Sequence, residues 1–513
     1  MGRLWVRGAG ASVTLALGAL VAGCGGGGSG GGGVTASGAT DPAGGAPPPG
    51  PPPGPPPAPP PGPPPGPPPG PQPPPGAGGP PGGPPPPAID DAQVRAALTG
   101  AGIGPASVPA TNAAEVALGR ALFFDKELSG NRNISCATCH HPSLATGDGL
   151  PLSVGEGASG LGPARAPLAP LIARNAPTLV AAGATGLERM FWDGRVARDA
   201  ATGALTTPVA ALNGTSPPRP DLAGPLDSAL AAQAMFPVTS PEEMRGQPGE
   251  NELADAADEV AVWAAIMRRL VGTTQGTVGG IPAYRTLFQA AWPGVPFDDL
   301  TFAHAARAIA AYERAELARL SSPLDRYLAG DDAAISAAAK RGALAFTGPA
   351  RCAVCHSGPL LTDQRFRGVA APQLGPGAGG EPDDRGRALI SGLRNDDYRF
   401  RTPPLRGVTE SGPWMHSGAF TSLEAVVRHY ADPSASQLAY DASQLPPGFQ
   451  GLVDRDPVRA QARLAQVDPV IGAGLPLPPQ RVADLVEFLR ALSDPSPPAP
   501  VPASVPSGLP IAD

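Results

Sequence analysis

The chain has 513 residues, of which 72 are Pro and 69 are Gly, and a formal net charge of -7. That length allows two or three domains, but Pro and Gly so far above average usage rule out one globular fold along the whole chain. The acidic balance excludes nucleic acid as a partner.

The first residues read as an export signal. Arg3 and Arg7 precede an apolar stretch from Ala9 to Ala22, too short to span a bilayer, which ends in Leu20-Val21-Ala22-Gly23-Cys24. This ending resembles the bacterial lipoprotein box. Residues 1–23 are therefore expected to be a lipoprotein signal peptide, with Cys24 the lipidated mature N-terminus and the chain held in the bacterial periplasm by a membrane anchor. Gly25 after the Cys favours the outer membrane. Residues 24–88 are almost only Gly, Pro, Ala and Ser, a composition that cannot bury enough apolar surface to offset chain entropy, and they read as a disordered linker. Its Pro-rich part would reach on the order of 100 Å where it is polyproline-like. The folded part begins near Ile89.

Asn112, with Glu115 three residues on, predicts a capping box opening a helix whose apolar face is Val116, Leu118, Leu122 and Phe123. Phe302, Ile309, Leu317 and Leu320 mark a long helix from Asp299 to Leu320. A second copy of the first helix runs from Ile335 to Phe346. Val482, Leu485, Val486, Leu489 and Leu492 recur at helical spacing and predict a terminal amphipathic helix stopped by Pro495. The Pro/Ser-rich tail, 495–513, is expected to be disordered. Strand signals are scarce.

After Cys24 the remaining four Cys fall into Cys136-Ala137-Thr138-Cys139-His140 and Cys352-Ala353-Val354-Cys355-His356. Both are CxxCH. Two thiols at this spacing meet the two vinyl groups of one haem, and the adjacent His reaches the iron. A four-Cys zinc site or a disulfide within each pair leaves the repeated His unexplained. The motifs therefore predict two covalently bound haem c groups. With a helix ahead of each motif, the expected fold is all-α: two cytochrome c-like haem domains packed together, 89–330 and 331–494, preceded by the disordered linker.

The text between the motifs resembles the bacterial di-haem cytochrome c peroxidase and MauG family from Ala113 to Leu492. The matching runs are Arg174-Asn175-Ala176-Pro177-Thr178, Phe191-Trp192-Asp193-Gly194-Arg195, Phe236-Pro237 with Glu243-Met244, Thr402-Pro403-Pro404-Leu405-Arg406 and Pro413-Trp414-Met415-His416-Ser417-Gly418. The resemblance implies that an N-terminal haem, with His140 as proximal ligand, reacts with hydrogen peroxide while a C-terminal haem, with His356, handles electrons. It further implies Glu243 as acid/base, with Glu242 its neighbour in the motif, and Trp192 as a relay between the haems. Asn175, Thr402 and Pro404 would form a calcium site. Many family peroxidases place a second His opposite the first haem in a Gly-His-Gly context; here the stretch is Gly155-Glu156-Gly157, which predicts an open haem, though Glu156 could enter the pocket. On the C-terminal haem, family peroxidases use Met and MauG uses Tyr. The corresponding residue here is Tyr430, with Met415 and His429 as competitors. His416 could hydrogen-bond near a haem, whereas His304 reads as structural. The stretch from Val196 to Ala234 is longer than in the typical family peroxidase and is expected to form an extra loop over one face.

Three functions follow. The first is peroxide reduction fed by a small redox protein, a cytochrome c or a cupredoxin. The second is a MauG-like oxidase acting on residues of a partner protein, toward which Glu156 and Tyr430 lean. The third is a non-enzymatic electron carrier, for which Glu243 would be superfluous.

Overall fold

The structure is a computed structural model and describes residues 89–168, 170–272 and 279–511. The expected signal peptide, Cys24 and the Gly/Pro-rich linker lie outside the described residues. In chain order the helices are α1 (Asp91–Gly100), α2 (Ala113–Phe124), α3 (Cys136–Cys139), α4 (Pro220–Ala223), α5 (Ala229–Gln233), α6 (Glu259–Leu270), α7 (Pro282–Ala291) and α8 (Phe302–Tyr312). They continue with α9 (Pro323–Leu328), α10 (Ala337–Thr347), α11 (Ala388–Ser391), α12 (Leu423–Ala431), α13 (Pro433–Leu438), α14 (Pro447–Gln450), α15 (Pro457–Ala465), α16 (Pro469–Gly472) and α17 (Pro479–Arg490).

Two helix pairs organise the fold, and they repeat one device. α2 precedes the first CxxCH and crosses α8; α10 precedes the second and crosses α17. At each crossing a Gly removes the side chain that would keep the backbones apart. A Cβ on Gly119 would lie 1.8 Å from the Ala308 carbonyl oxygen, and one on Gly342 would lie 2.0 Å from that of Asp484. The expected duplication is thus visible as two Gly-notched crossings.

The helix ends follow local chemistry. Asn112 caps α2 as predicted, accepting from Ala114 N at 2.8 Å. Glu115 does not close the box: Arg307 on α8 binds both its carboxylate oxygens, at 2.9 and 3.0 Å, and a bidentate guanidinium outcompetes a backbone amide. The expected helix from Asp299 to Leu320 begins only at Phe302, because Thr301 caps it with His304, whose Nδ1 accepts from Thr301 N at 3.1 Å. It ends in a π-turn, Glu313–Leu317. The helices near the second motif and near the C-terminus match their expected spans to within a few residues, Ser336 capping α10.

The fold is mostly helical but not all-α. Strands β1 (Arg189–Met190), β2 (Val196–Arg198) and β3 (Leu205–Thr206) form an antiparallel sheet in sequence order, with Arg189 opposite Ala197 and Arg198 opposite Leu205. A second pair joins β4 (Phe366–Gly368) to β5 (Arg399–Arg401). Strands of two or three residues are too short to show an alternating pattern. The segment from Val196 to Ala234 is therefore not a loop over one face: it supplies β2, β3, α4 and α5, and Leu205, Leu212, Leu222, Leu226 and Leu230 enter the first hydrophobic core.

The chain termini trade places. α1 buries Val94 and Leu98 in the second core, with α10 and α17, although it lies inside the expected N-terminal domain. The tail expected to be disordered returns, over 495–511, to the first core, where Val505 is buried. Ser507 fastens it, donating from Oγ to Asp125 Oδ1 at 2.6 Å, while Tyr284 donates to Asp125 Oδ2 at 2.8 Å. A third cluster joins Leu150, Leu152 and Val154 to Leu374, Phe420, Tyr440 and Phe449, so the two halves share a core. Among the described residues no helix is long and apolar enough to cross a membrane.

Gly119→Ala is expected to cost about 1–3 kcal/mol, because neither backbone at the crossing can give. Gly100→Ala, whose Cβ would meet nothing within 4 Å, should stay within about 0.5 kcal/mol. Denaturant unfolding of the two variants side by side checks this.

Candidate functional site

The two CxxCH motifs sit on different local frames that present their His in one way. Cys136 opens a single helical turn held by Ser135, whose backbone N donates to Thr138 Oγ1 at 3.0 Å. Cys352 opens a turn entered through Arg351, at φ 56°. In each motif the His backbone N–H donates to the carbonyl of the first Cys, at 3.0 Å for His140 and 2.9 Å for His356. Each imidazole then donates from Nδ1 to a carbonyl further on, His140 to Thr146 at 3.1 Å and His356 to Leu361 at 2.9 Å. Thr146 and Leu361 are both left-handed, at φ 59° and 52°, an uncommon backbone for β-branched or bulky residues. A carbonyl can only accept, so the Nδ1 proton is fixed there and Nε2 is the nitrogen each ring could offer to a metal. Burial pulls both imidazoles below their ordinary pKa, so they are neutral. None of these four thiols is in a disulfide.

One cavity of about 810 Å³ is lined by both motifs. Its walls are largely apolar and include Leu128, Ile134, Ile309, Phe346, Val427 and Leu485. Paired thiols, His with free Nε2 and apolar walls are the donor set and surroundings that haem c requires, and the residues fit that group at both ends.

Glu243 lies on the π-turn Pro241–Arg245, capped by Ser240, and lines the cavity. Burial pushes its carboxyl above the ordinary range, and Arg195 opposes the shift. Glu242, its alternative, is exposed. Glu156 is buried but is not a lining residue: Oε1 accepts from Asn131 Nδ2 and Asn133 Nδ2, each at 2.7 Å. His141 is turned into a bond between Nδ1 and Ser143 Oγ at 2.7 Å. Among the described residues the imidazoles lining the cavity are His140, His356 and His416. His416 stacks on Phe400 at 3.7 Å, with Nε2 bound to Gln373 at 3.2 Å.

Trp192 lines the cavity and donates from Nε1 to the Asn175 carbonyl at 2.9 Å. Tyr430, near the end of α12, also lines it. Its hydroxyl makes no hydrogen bond with the described residues, and burial raises its pKa. Met415 is a lining residue too. His429 drops out as a ligand because both nitrogens are taken, Nε2 donating to Val369 O at 2.7 Å and Nδ1 accepting from Ser436 at 2.9 Å. Asn175, Thr402 and Pro404 all line the cavity; Asn175 Nδ2 donates to Leu150 O at 2.7 Å, and the Thr402 carbonyl accepts from Thr362 at 2.6 Å. No group of three or more His, Cys, Asp or Glu suited to a metal ion occurs among the described residues.

Two features escaped the sequence reading. Glu313 lines the cavity, its Oε2 has no partner, and burial pushes its carboxyl up to about 8. It lies four residues after Ile309 on the same wall, so a helical wheel of α8 carried through the π-turn would have shown a lone acid on an apolar face. The other is the ion cluster behind Trp192. Arg174 binds Asp384 through Nε at 2.5 Å and Nη2 at 2.9 Å, and Asp193 through Nη1 at 2.5 Å. Burial pushes Asp193 and Asp384 up, but Arg174, joined at Asp193 by Arg195, outweighs it and holds both below the ordinary carboxylate range.

Residues 113–333 match the family model described as di-haem cytochrome c peroxidase. The chain is 33% identical over 319 residues to the methylamine utilization protein MauG of Methylorubrum extorquens, covering 62% of this chain and 68% of that one. It is 30% identical over 395 residues to the cytochrome-c peroxidase IdrP1 of Denitromonas iodatirespirans, covering 72% and 86%. Among solved structures, a MauG-like protein associated with microbial copper homeostasis is similar with a TM-score of 0.51 at 26% identity, covering 77% of this chain and 94% of that one.

Arg174→Met strands the buried Asp384 carboxylate and leaves Asp193 with Arg195 alone, and is expected to cost about 3–5 kcal/mol. Because Asp193 and Asp384 are held low, their contribution is present above the unfolded carboxyl pKa near ~4 and is lost as pH falls through their folded values. Unfolding free energies followed from pH 7 downward should therefore converge for the variant and the parent.

Proposed function

Because the chain belongs to the di-haem cytochrome c peroxidase family, we propose that it reduces hydrogen peroxide at the haem held by Cys136, Cys139 and His140, with electrons delivered through the haem held by Cys352, Cys355 and His356. The observation that carries this reading is Glu243, a half-buried carboxyl with a raised pKa on the wall of the cavity that both motifs line. Bound haem supplies the iron that takes up peroxide oxygen and passes electrons. The chain's own residues supply protons and position. Glu243 takes the proton from the inner peroxide oxygen and returns it to the outer one, so that peroxide, two protons and two electrons leave as two waters. Trp192, fixed by the Asn175 carbonyl, stands as the relay between the haems.

In this reading the site opposite His140 has no imidazole to displace: His141 is turned to Ser143, His416 stacks on Phe400 with Nε2 on Gln373, and Glu156 is held by two Asn side chains. In this reading the N-terminal haem is open in the ferric state. On the other haem Tyr430 is the proposed sixth ligand and Met415 the competitor. A calcium ion between the haems, on oxygens of Asn175, Thr402 and Pro404, belongs to the same reading. So do two haem domains over 89–330 and 331–494, export by residues 1–23, and periplasmic anchoring through Cys24. The electron donor is a small redox protein. The second reading, a MauG-like oxidation of a partner protein, is favoured by the unbonded Tyr430 hydroxyl, because an anionic ligand stabilises high oxidation states.

Glu243→Gln, with two haems loaded, is expected to slow peroxide turnover with reduced cytochrome c by about 10²–10⁴-fold; an unchanged rate removes Glu243 from the reaction. Low-temperature EPR of the ferric protein should give one high-spin and one low-spin signal, the latter altered in Tyr430→Phe. Two low-spin signals indifferent to the substitution would return Met415 to the C-terminal haem and require activation at the other.

A further inference from the structure

Arg401 is a buried cation on the cavity wall whose hydrogen bonds are incomplete among the described residues. It is 7% exposed, stands on β5 and lines the cavity. Its Nε donates to the Phe191 carbonyl at 3.0 Å, and its backbone N donates to the Trp192 carbonyl at 2.7 Å. Its Nη1 has no hydrogen-bond partner. The acid that should answer it, Asp193, is already bound by Arg174 at 2.5 Å and Arg195 at 3.2 Å. Burial pulls the guanidinium down to about 10, which leaves it charged at neutral pH. A buried donor without an acceptor is unfavourable, and more so when it is ionised. An anion reaching this wall would remove that cost, and a planar guanidinium is the side chain best shaped to take a carboxylate.

We propose that Arg401 clamps a propionate carboxylate of one of the two haems, and through its bonds to Phe191 and Trp192 fastens the Trp192 segment to that haem. The inference rests on the di-haem reading, and it adds a residue for which the CxxCH motifs give no sign. The propionate comes either from the haem at His140 or from the one at His356. Arg401 stands two residues before Pro403, whose carbonyl lies against His356.

The test is a spectroelectrochemical titration of the full haem-loaded chain and of Arg401→Gln, with EPR distinguishing the two haems. A cation beside a haem disfavours the ferric form, so its loss should lower one midpoint potential and leave the other nearly unmoved. The expected size is tenfold or more in that haem's reduction equilibrium, about 59 mV for a one-electron couple. Whichever haem moves owns the propionate. Two unmoved potentials in a folded variant carrying two haems overturn the proposal. A haem count other than two in the parent chain would instead overturn the reading beneath it. If Arg401→Gln yields too little holoprotein, Arg401→Lys reads the same contact through the propionate-bending band in resonance Raman. That band should shift when a guanidinium fork gives way to a single ammonium, and an unmoved band is equally decisive against the clamp.

Discussion

The bidentate contact between Arg174 and Asp384 is the point on which the middle of the molecule depends. It is buried, and its second carboxylate, Asp193, follows Trp192 directly in the chain. One guanidinium therefore ties together three segments: the one carrying Asn175, the one carrying Trp192, and the stretch before α11. A buried ion pair of this kind is a poor source of net stability but a strict geometric demand, because no partner can leave without stranding a charge. That strictness sets where the Trp192 indole lies, since its Nε1 bonds to the carbonyl of the residue next to Arg174.

The same demand explains the pattern of shifted acids around the cavity. Asp193 and Asp384 are held ionised by guanidiniums, whereas Glu243 and Glu313 are raised by burial. Groups of the first kind serve structure. In the second kind burial favours the protonated form, which is the direction a carboxyl that hands on a proton needs. The peroxidase and oxidase readings share all of this and part only at the far end of the cavity, over Tyr430 and Met415.

Much of this was legible in the sequence, and what was not has identifiable causes. The haem-attachment motifs declare themselves because covalent chemistry fixes their spacing. The helices 113–124, 337–347 and 479–490 declare themselves because a buried face repeats every three to four residues. The capping role of Glu115 failed because its partner, Arg307, is brought in by a helix crossing that no local pattern encodes. The segment 196–234 read as an added loop because its strands are shorter than one alternation, although its leucines belong to the core. His429 looked as available as Tyr430, its neighbour, until the carbonyl of Val369 was found on its Nε2. The orphaned oxygen of Glu313 and the orphaned nitrogen of Arg401 are facts about burial, and composition carries no sign of them.

The exchange of termini has a consequence for how the protein comes into being. α1 is among the first structured segments to leave the ribosome, yet the surface that covers Val94 and Leu98 is made by α10 and α17, near the far end of the chain. The segment around Ser507, which seals Asp125 in the first core, is made 382 residues after Asp125 itself. Neither core can therefore close in the order of synthesis. The nascent N-terminal half must wait with an apolar face unmatched, and folding becomes an event of the whole chain rather than a succession of finished domains.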